Sequence, residues 1–332
     1  MYRSSRTEPE KRVELKNELL RLDFDPRTSD TMYNYIHIRR PDTGKWERVH
    51  NFGIDARTFL PDGKLINTIG MCMDLRPEGR KLQVTYPNPL IQYRQFDDKV
   101  GKAQTIRQYP DFTRAQLGEL VHADGELQFT YELDAENPSF VMSGRVLKGT
   151  IENITYIVSA LWTENHELPT HQYVENFPEV DTRQADATAC QGIYIENVAY
   201  LIFYRQDGKG VPFAMLPQEP VRSMFTNFYD NSACLRDFRS SCFNQQFVAQ
   251  DPPVTGCNDV GYVPEPQGDG RFPAVRVVFF PELGWQLGGT GRDLRDRIVA
   301  AIRERYWDAV TSWERVAKYL PPKMTMTGQL TS

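Results

Sequence analysis

The chain has 332 residues, 40% of them hydrophobic and 25% charged, with a formal net charge of −5. This composition supports a sizeable core and excludes a disordered chain or a coiled coil, while the negative balance and scattered Lys and Arg argue against a nucleic-acid partner. The N-terminal "MYRSSRTEPEKRVELKNELL" lacks the apolar stretch of a leader, and no run of about 18 apolar residues occurs, so a cytoplasmic protein with no membrane partner is expected.

From Val13 onward the chain reads as short strands. "ELLRLDFDPRTSD" and "MYNYIHIRRPDTGKWERVHNFG" alternate apolar and polar residues, and Pro41-Asp42-Thr43-Gly44 supplies a reversal. The spacing predicts further strands at 127–133 and 140–148, joined by a turn at Glu136-Asn137-Pro138, then at 154–162, 192–204 and 274–280. Between the last two, 205–272 is rich in Gly, Pro, Asn and Asp and is expected to form long irregular connections that shape a site.

The C-terminus changes period. Leu294, Ile298, Ala301, Ile302, Trp307, Val310, Trp313 and Val316 recur at helical spacing among charges, predicting one or two amphipathic helices that start near Thr290 or Gly291. The expected organisation is a β-sandwich over 1–290 with a helical cap over 291–332 packed on it. Cys72, Cys190, Cys234, Cys242 and Cys257 form no CxxC pair, so neither a disulfide framework nor a zinc knuckle is signalled.

The opening "ELKNELLRLDFDPRTSD", continued by "YIHIRRPDTGKWERV" and a long series of antiparallel strands, resembles the galactose-mutarotase-like β-supersandwich superfamily over residues 15–300. That superfamily includes aldose 1-epimerases and the β-domains of several polysaccharide lyases and glycosidases. The resemblance implies an all-β fold, a large antiparallel β-supersandwich carrying a carbohydrate cleft. In aldose epimerases a histidine within an Asn-His dipeptide after a central strand acts as general acid, and a glutamate near the C-terminus acts as general base. Asn165-His166 is the closest match here to that dipeptide, and Glu282, in "FFPELGWQ" just after a late strand, is the best-placed glutamate; the residues after Asn165-His166 depart from the epimerase continuation.

The residues themselves point to further candidates. "TENHELPTHQYVENFPEV" places His166, His171 and Tyr173 beside carboxylates, where an imidazole can be held in one tautomer for acid–base work; the alternative is a solvated loop. Glu164, His166, His171 and Glu175 could also hold a divalent metal, although their spacing fits no established signature and no cofactor is otherwise expected. Tyr93, Arg94 and Arg107 offer aromatic faces and guanidinium forks suited to an acidic sugar, against the reading of surface ion pairs. Trp162, Tyr229, Asp230 and Asn231 complete the candidate substrate-binding set, since aromatic faces pack on sugar C–H groups while amides and carboxylates bind hydroxyls. His50 and Arg57 are second-rank candidates, more often structural than functional at strand ends.

The chain is therefore expected to be a carbohydrate-active enzyme that moves a proton on a sugar or glycoside, as an epimerase, isomerase or lyase. His166, His171, Tyr173 and Glu282 would carry the acid–base work, and the partner would be a small carbohydrate or glycoside. A homo-oligomer is compatible with this. A non-catalytic sugar- or metabolite-binding sandwich is the rival, and a sandwich holding an apolar ligand is a third reading.

Overall fold

The computed structural model describes residues 12–24, 34–55, 58–59, 64–69, 74–87, 90–95, 120–122, 125–149, 155–159, 171–174, 180–181, 191–196, 200–205, 207–218, 224–229, 257–262, 269–308 and 323–327. Twenty-two strands lie among these residues, in two nine-stranded sheets and one four-stranded sheet.

Across the first large sheet the order is β1 (Val13–Lys16), β2 (Leu20–Phe24), β3 (Tyr35–Arg39), β4 (Trp46–Asp55), β13 (Thr155–Ser159), β20 (Cys257–Tyr262), β19 (Met224–Tyr229), β16 (Gln191–Glu196) and β22 (Lys323–Thr327). The small sheet runs β10 (Leu120–His122), β9 (Leu90–Gln95), β6 (Lys64–Ile69) and β5 (Thr58–Phe59). The second large sheet runs β15 (Val180–Asp181), β14 (His171–Val174), β17 (Leu201–Tyr204), β18 (Phe213–Pro217), β21 (Arg271–Phe279), β12 (Ser139–Gly149), β11 (Gly125–Leu133), β8 (Lys81–Pro87) and β7 (Asp74–Glu78). Every pairing is antiparallel, as in "YIHIR", whose Ile36 and Ile38 are buried while the residues between them are not.

The expected strand pair at 127–133 and 140–148 is β11 and β12, and its turn is held by Asp134, whose carboxylate accepts from the Glu136 and Asn137 amides at 3.0 Å. Asn17 does the same for the β1–β2 turn, accepting from Leu19 and Leu20 at 2.8 and 2.7 Å. Its amide nitrogen donates to the Asp134 and Asn137 carbonyls, which ties the two hairpins together.

Two expectations are corrected. Residues 192–204 are not one strand: β16 belongs to the first large sheet and β17 to the second, so the chain changes sheets between them. Residues 205–272 are not irregular throughout, because β18, β19 and β20 lie within them. β18 is buried at all five positions, so it has no polar alternation to betray it, and Pro212 and Pro217 bound it like a loop.

The large sheets bury one core between them. Phe52 of the first sheet meets Tyr131 and Phe140 of the second edge-on, with ring centroids at 5.5 and 5.4 Å, and Phe24 meets Tyr131 at 4.7 Å. A second cluster forms on the other face of the second sheet, where Ile202, Tyr204, Ala214, Val278 and Phe280 pack under the helix α1 (Gly291–Arg305). Leu294, Ile298 and Ile302 are its buried stripe and Thr290 its N-cap, as the periodicity predicts. Trp307 departs from that stripe and is 51% exposed, because the helical backbone ends at Tyr306 (φ −129°, ψ 31°) and the register is lost. Val310, Trp313 and Val316 lie outside the described residues. No described helix is long and apolar enough to cross a membrane.

Candidate functional site

The sequence-derived candidates do not gather into one described site. His166, Glu164, Trp162, Glu175, Arg107, Asp230, Asn231 and Arg57 lie outside the described residues. His171 and Tyr173 are alternate residues of β14, directly opposite Tyr204 and Ile202 of β17. Directly opposed residues share a face, and Tyr204 and Ile202 belong to the cluster beneath α1, so both positions fall on the helix side of that sheet. Glu282 sits on the same side, in a 3-10 turn over Pro281–Leu283, where its carboxylate accepts from the Arg305 guanidinium of α1. Three strand spacings, roughly 14 Å, separate β14 from β21, and buried Tyr204 and Phe280 fill the ground between. Tyr93 and Arg94 are consecutive in β9, hence on opposite faces of the small sheet, and Tyr229 ends β19 opposite Cys257.

A different constellation is built on the outer face of β1 to β4. Leu15, Leu20, Leu22, Phe24, Ile36 and Ile38 turn into the core, so the alternate residues Arg21, Asp23, Tyr35 and His37 stand on the opposite face. A bulge in β4 decides which of its side chains join them. Ile36 pairs with His50 but His37 pairs with Arg48, leaving Val49 as the extra residue. Strict alternation would give Arg48 and His50 the same face; the bulge instead keeps Arg48 outside and sends His50 into the core. His50 is buried to 2% exposure against Phe213 and Phe279, with ring centroids at 4.7 and 5.9 Å, so the structural reading of His50 is the correct one.

On the outer face Asp23 is the hub. Its Oδ1 lies 3.3 Å from Arg21 Nε and its Oδ2 lies 3.4 Å from His37 Nδ1. Neither nitrogen completes a hydrogen bond, although both are buried. Arg12 and Arg48 lie against the Tyr35 ring at 4.4 and 4.7 Å, and Lys16 and Arg21 against the Trp46 ring at 5.2 and 5.7 Å. Burial, reinforced by Arg21, Arg48 and Arg12, pushes the His37 pKa down to about 3, so its imidazole is neutral at pH 7. Burial also raises the Asp23 pKa against the opposing pull of Arg21.

The strand register carries this face further across the sheet. Tyr35 stands opposite Asn51, Asn51 opposite Ser159, Ser159 opposite Asp259 and Asp259 opposite Asn227. Four strand spacings, roughly 19 Å, thus carry a row of amide, hydroxyl and carboxylate residue types beside the cationic cluster. His37 was legible in the alternation of "YIHIR" as a residue of the outer face, but nothing local in the sequence marks the Asp23 carboxylate that pairing brings beside it. The row was not legible, since its members are far apart in sequence and meet only through strand pairing.

No protein-family model matches the sequence, and neither does any curated protein. Among solved structures, the chain is similar to a galactose mutarotase-like protein from Lactobacillus casei, with a TM-score of 0.41 and 7% identity over 81% of this chain and 100% of that one. It is also similar to the α-galactosidase from Lactobacillus brevis, with a TM-score of 0.37 and 9% identity over 89% of this chain. A third similarity is to a GH36 α-galactosidase from Geobacillus stearothermophilus in complex with 1-deoxygalactonojirimycin, with a TM-score of 0.31 and 8% identity over 81% of this chain. The chain spans 42% and 40% of the length of these two α-galactosidases.

Proposed function

We propose that this protein binds and processes a carbohydrate on the outer face of its first large sheet, between β1 and β4. The carrying observation is the constellation of Tyr35 and Trp46 with His37, Asp23 and Arg21, which supplies ring faces together with donors and an acceptor on one half-buried surface. The β-supersandwich resemblance of the sequence and the two nine-stranded antiparallel sheets support it. The reaction class in this reading is proton transfer next to a carbonyl or anomeric centre, as in an epimerase, isomerase or lyase, with Asp23 as the proton-exchanging group of this face; the sequence-read candidates His171, Tyr173 and Glu282 stand on the helix side of the second sheet, away from it. A mono- or oligosaccharide is the partner, in a cytoplasmic setting.

A non-catalytic sugar-binding protein is the second reading. It is favoured by the depressed pKa of His37, which makes that imidazole a weak base at neutral pH. Turnover separates the two. Proton exchange at sugar carbons, followed by NMR in D₂O, is expected for the wild type and is expected to fall at least 100-fold in Asp23→Asn with saccharide affinity changed far less. If the wild type binds saccharide without any exchange, cleavage or isomerisation, the binding reading holds and the enzymatic one fails.

A further inference from the structure

We propose that His37 is a positioning residue for Asp23: its uncharged ring lies beside one oxygen of that carboxylate, keeps water from it and fixes its orientation on the β1–β4 face. The inference rests on the proton-transfer reading above and adds to it the residue that prepares the proton-exchanging group. The strand register makes the arrangement. His37 stands directly opposite Arg21 of β2 and Arg48 of β4, while Asp23 stands opposite Tyr35, so Asp23 and His37 are diagonal neighbours across β2 and β3. Each carboxylate oxygen then has one nitrogen beside it, Arg21 Nε at 3.3 Å from Oδ1 and His37 Nδ1 at 3.4 Å from Oδ2. The Tyr35 ring flanks the imidazole edge-on, with ring centroids 6.4 Å apart.

Geometry decides between two roles for the imidazole. His37 Nδ1 is buried and completes no hydrogen bond, so a donated proton adds little to holding the carboxylate charged. Exclusion of water is the larger effect: the side chains of His37 and Asp23 are 13% and 16% exposed, and a carboxylate deprived of water favours its protonated form. That burial raises the Asp23 pKa, with Arg21 and Arg12 opposing the rise and Glu14 adding to it. The ring plays this part only while uncharged, because an imidazolium beside Oδ2 would favour the carboxylate instead. Burial keeps it so, with Arg21, Arg48 and Arg12 adding, and its pKa is pushed down to about 3. A carboxyl group raised toward the working pH is the better proton-exchanging group, since it can both take a proton from a sugar carbon and return it.

The test follows the Asp23 carboxyl by ¹³C NMR through a pH titration of the full chain, with Asp23→Asn to assign the signal. In His37→Ala water reaches the carboxylate, and its titration midpoint is expected to fall by about one pH unit toward the ordinary value. In His37→Phe, which keeps a ring and has no nitrogen in it, the midpoint is expected to stay at or above that of the wild type. Should His37→Ala not fold, His37→Ser is expected to move the midpoint in the same direction. Proton exchange on galactose and trigalacturonate in D₂O is read in the same variants. The acid limb of its rate profile should move with the Asp23 midpoint, and in His37→Ala kcat at neutral pH should fall roughly three- to ten-fold with KM nearly unchanged. An Asp23 midpoint unmoved in His37→Ala, or lowered as far in His37→Phe, overturns the positioning role and leaves Asp23 as the proton-exchanging group. A wild-type protein that exchanges no proton on either sugar overturns the proton-transfer reading, and the role of His37 in it, whatever the midpoint does.

Discussion

His37 and His50 lie on neighbouring strands of one sheet and on opposite sides of it, yet both are held neutral by burial. Each pKa is pushed down to about 3; the Val211 backbone opposes the shift at His50, and Arg21, Arg48 and Arg12 add to it at His37. A group whose native pKa is below its ordinary value binds fewer protons folded than unfolded, so its contribution to stability is full above the ordinary value of 6.5 and is lost as pH falls toward 3. At about pH 4.5 each histidine is expected to cost on the order of 2–3 kcal/mol. Asp23 works in the other direction, since its native pKa is raised and it gains stability as pH falls through that value, which softens the loss. Urea unfolding at pH 7 and about pH 4.5 should therefore show several kcal/mol less stability in acid, with about half of the difference removed in His50→Leu. A midpoint that does not move between the two pH values would contradict the burial of both imidazoles.

At the scale of elements, the two functions of the fold are separable. Helix α1 covers one face of the second sheet, while the proposed ligand face belongs to the first sheet, with the core between them. Ile298→Ala should cost about 2–4 kcal/mol, as deletion of a buried aliphatic side chain does, and leave saccharide affinity unchanged. Loss of affinity in a folded Ile298→Ala protein would mean that the helix side contributes to binding. The helix and most strands were legible because their apolar periods, 3.6 and 2, are written directly in the sequence. The bulge at Val49 was not, because "RVHN" contains neither the Gly nor the Pro that would mark it. That one extra residue is why Arg48 joins the outer face while His50, read from sequence as more often structural than functional, is part of the core.

At the scale of the whole molecule, the first large sheet is assembled from segments near both ends of the chain and its middle: β4 pairs with β13, β13 with β20, and β22 closes the far edge beside β16. A sequence can state that its strands exist and that a sandwich will result, but which distant strands lie side by side depends on packing that no local pattern encodes. For that reason the polar row from Asn51 to Asn227 emerges only from pairing, whereas the Asn165-His166 and His171 candidates came from a local motif. A crystal structure of the protein soaked with mono- and oligosaccharides tests the central claim most directly. The account predicts a sugar ring against Tyr35 or Trp46, with its oxygens within hydrogen-bonding distance of Arg21, His37 or Asp23; a saccharide bound elsewhere, with the β1–β4 face empty, would contradict it.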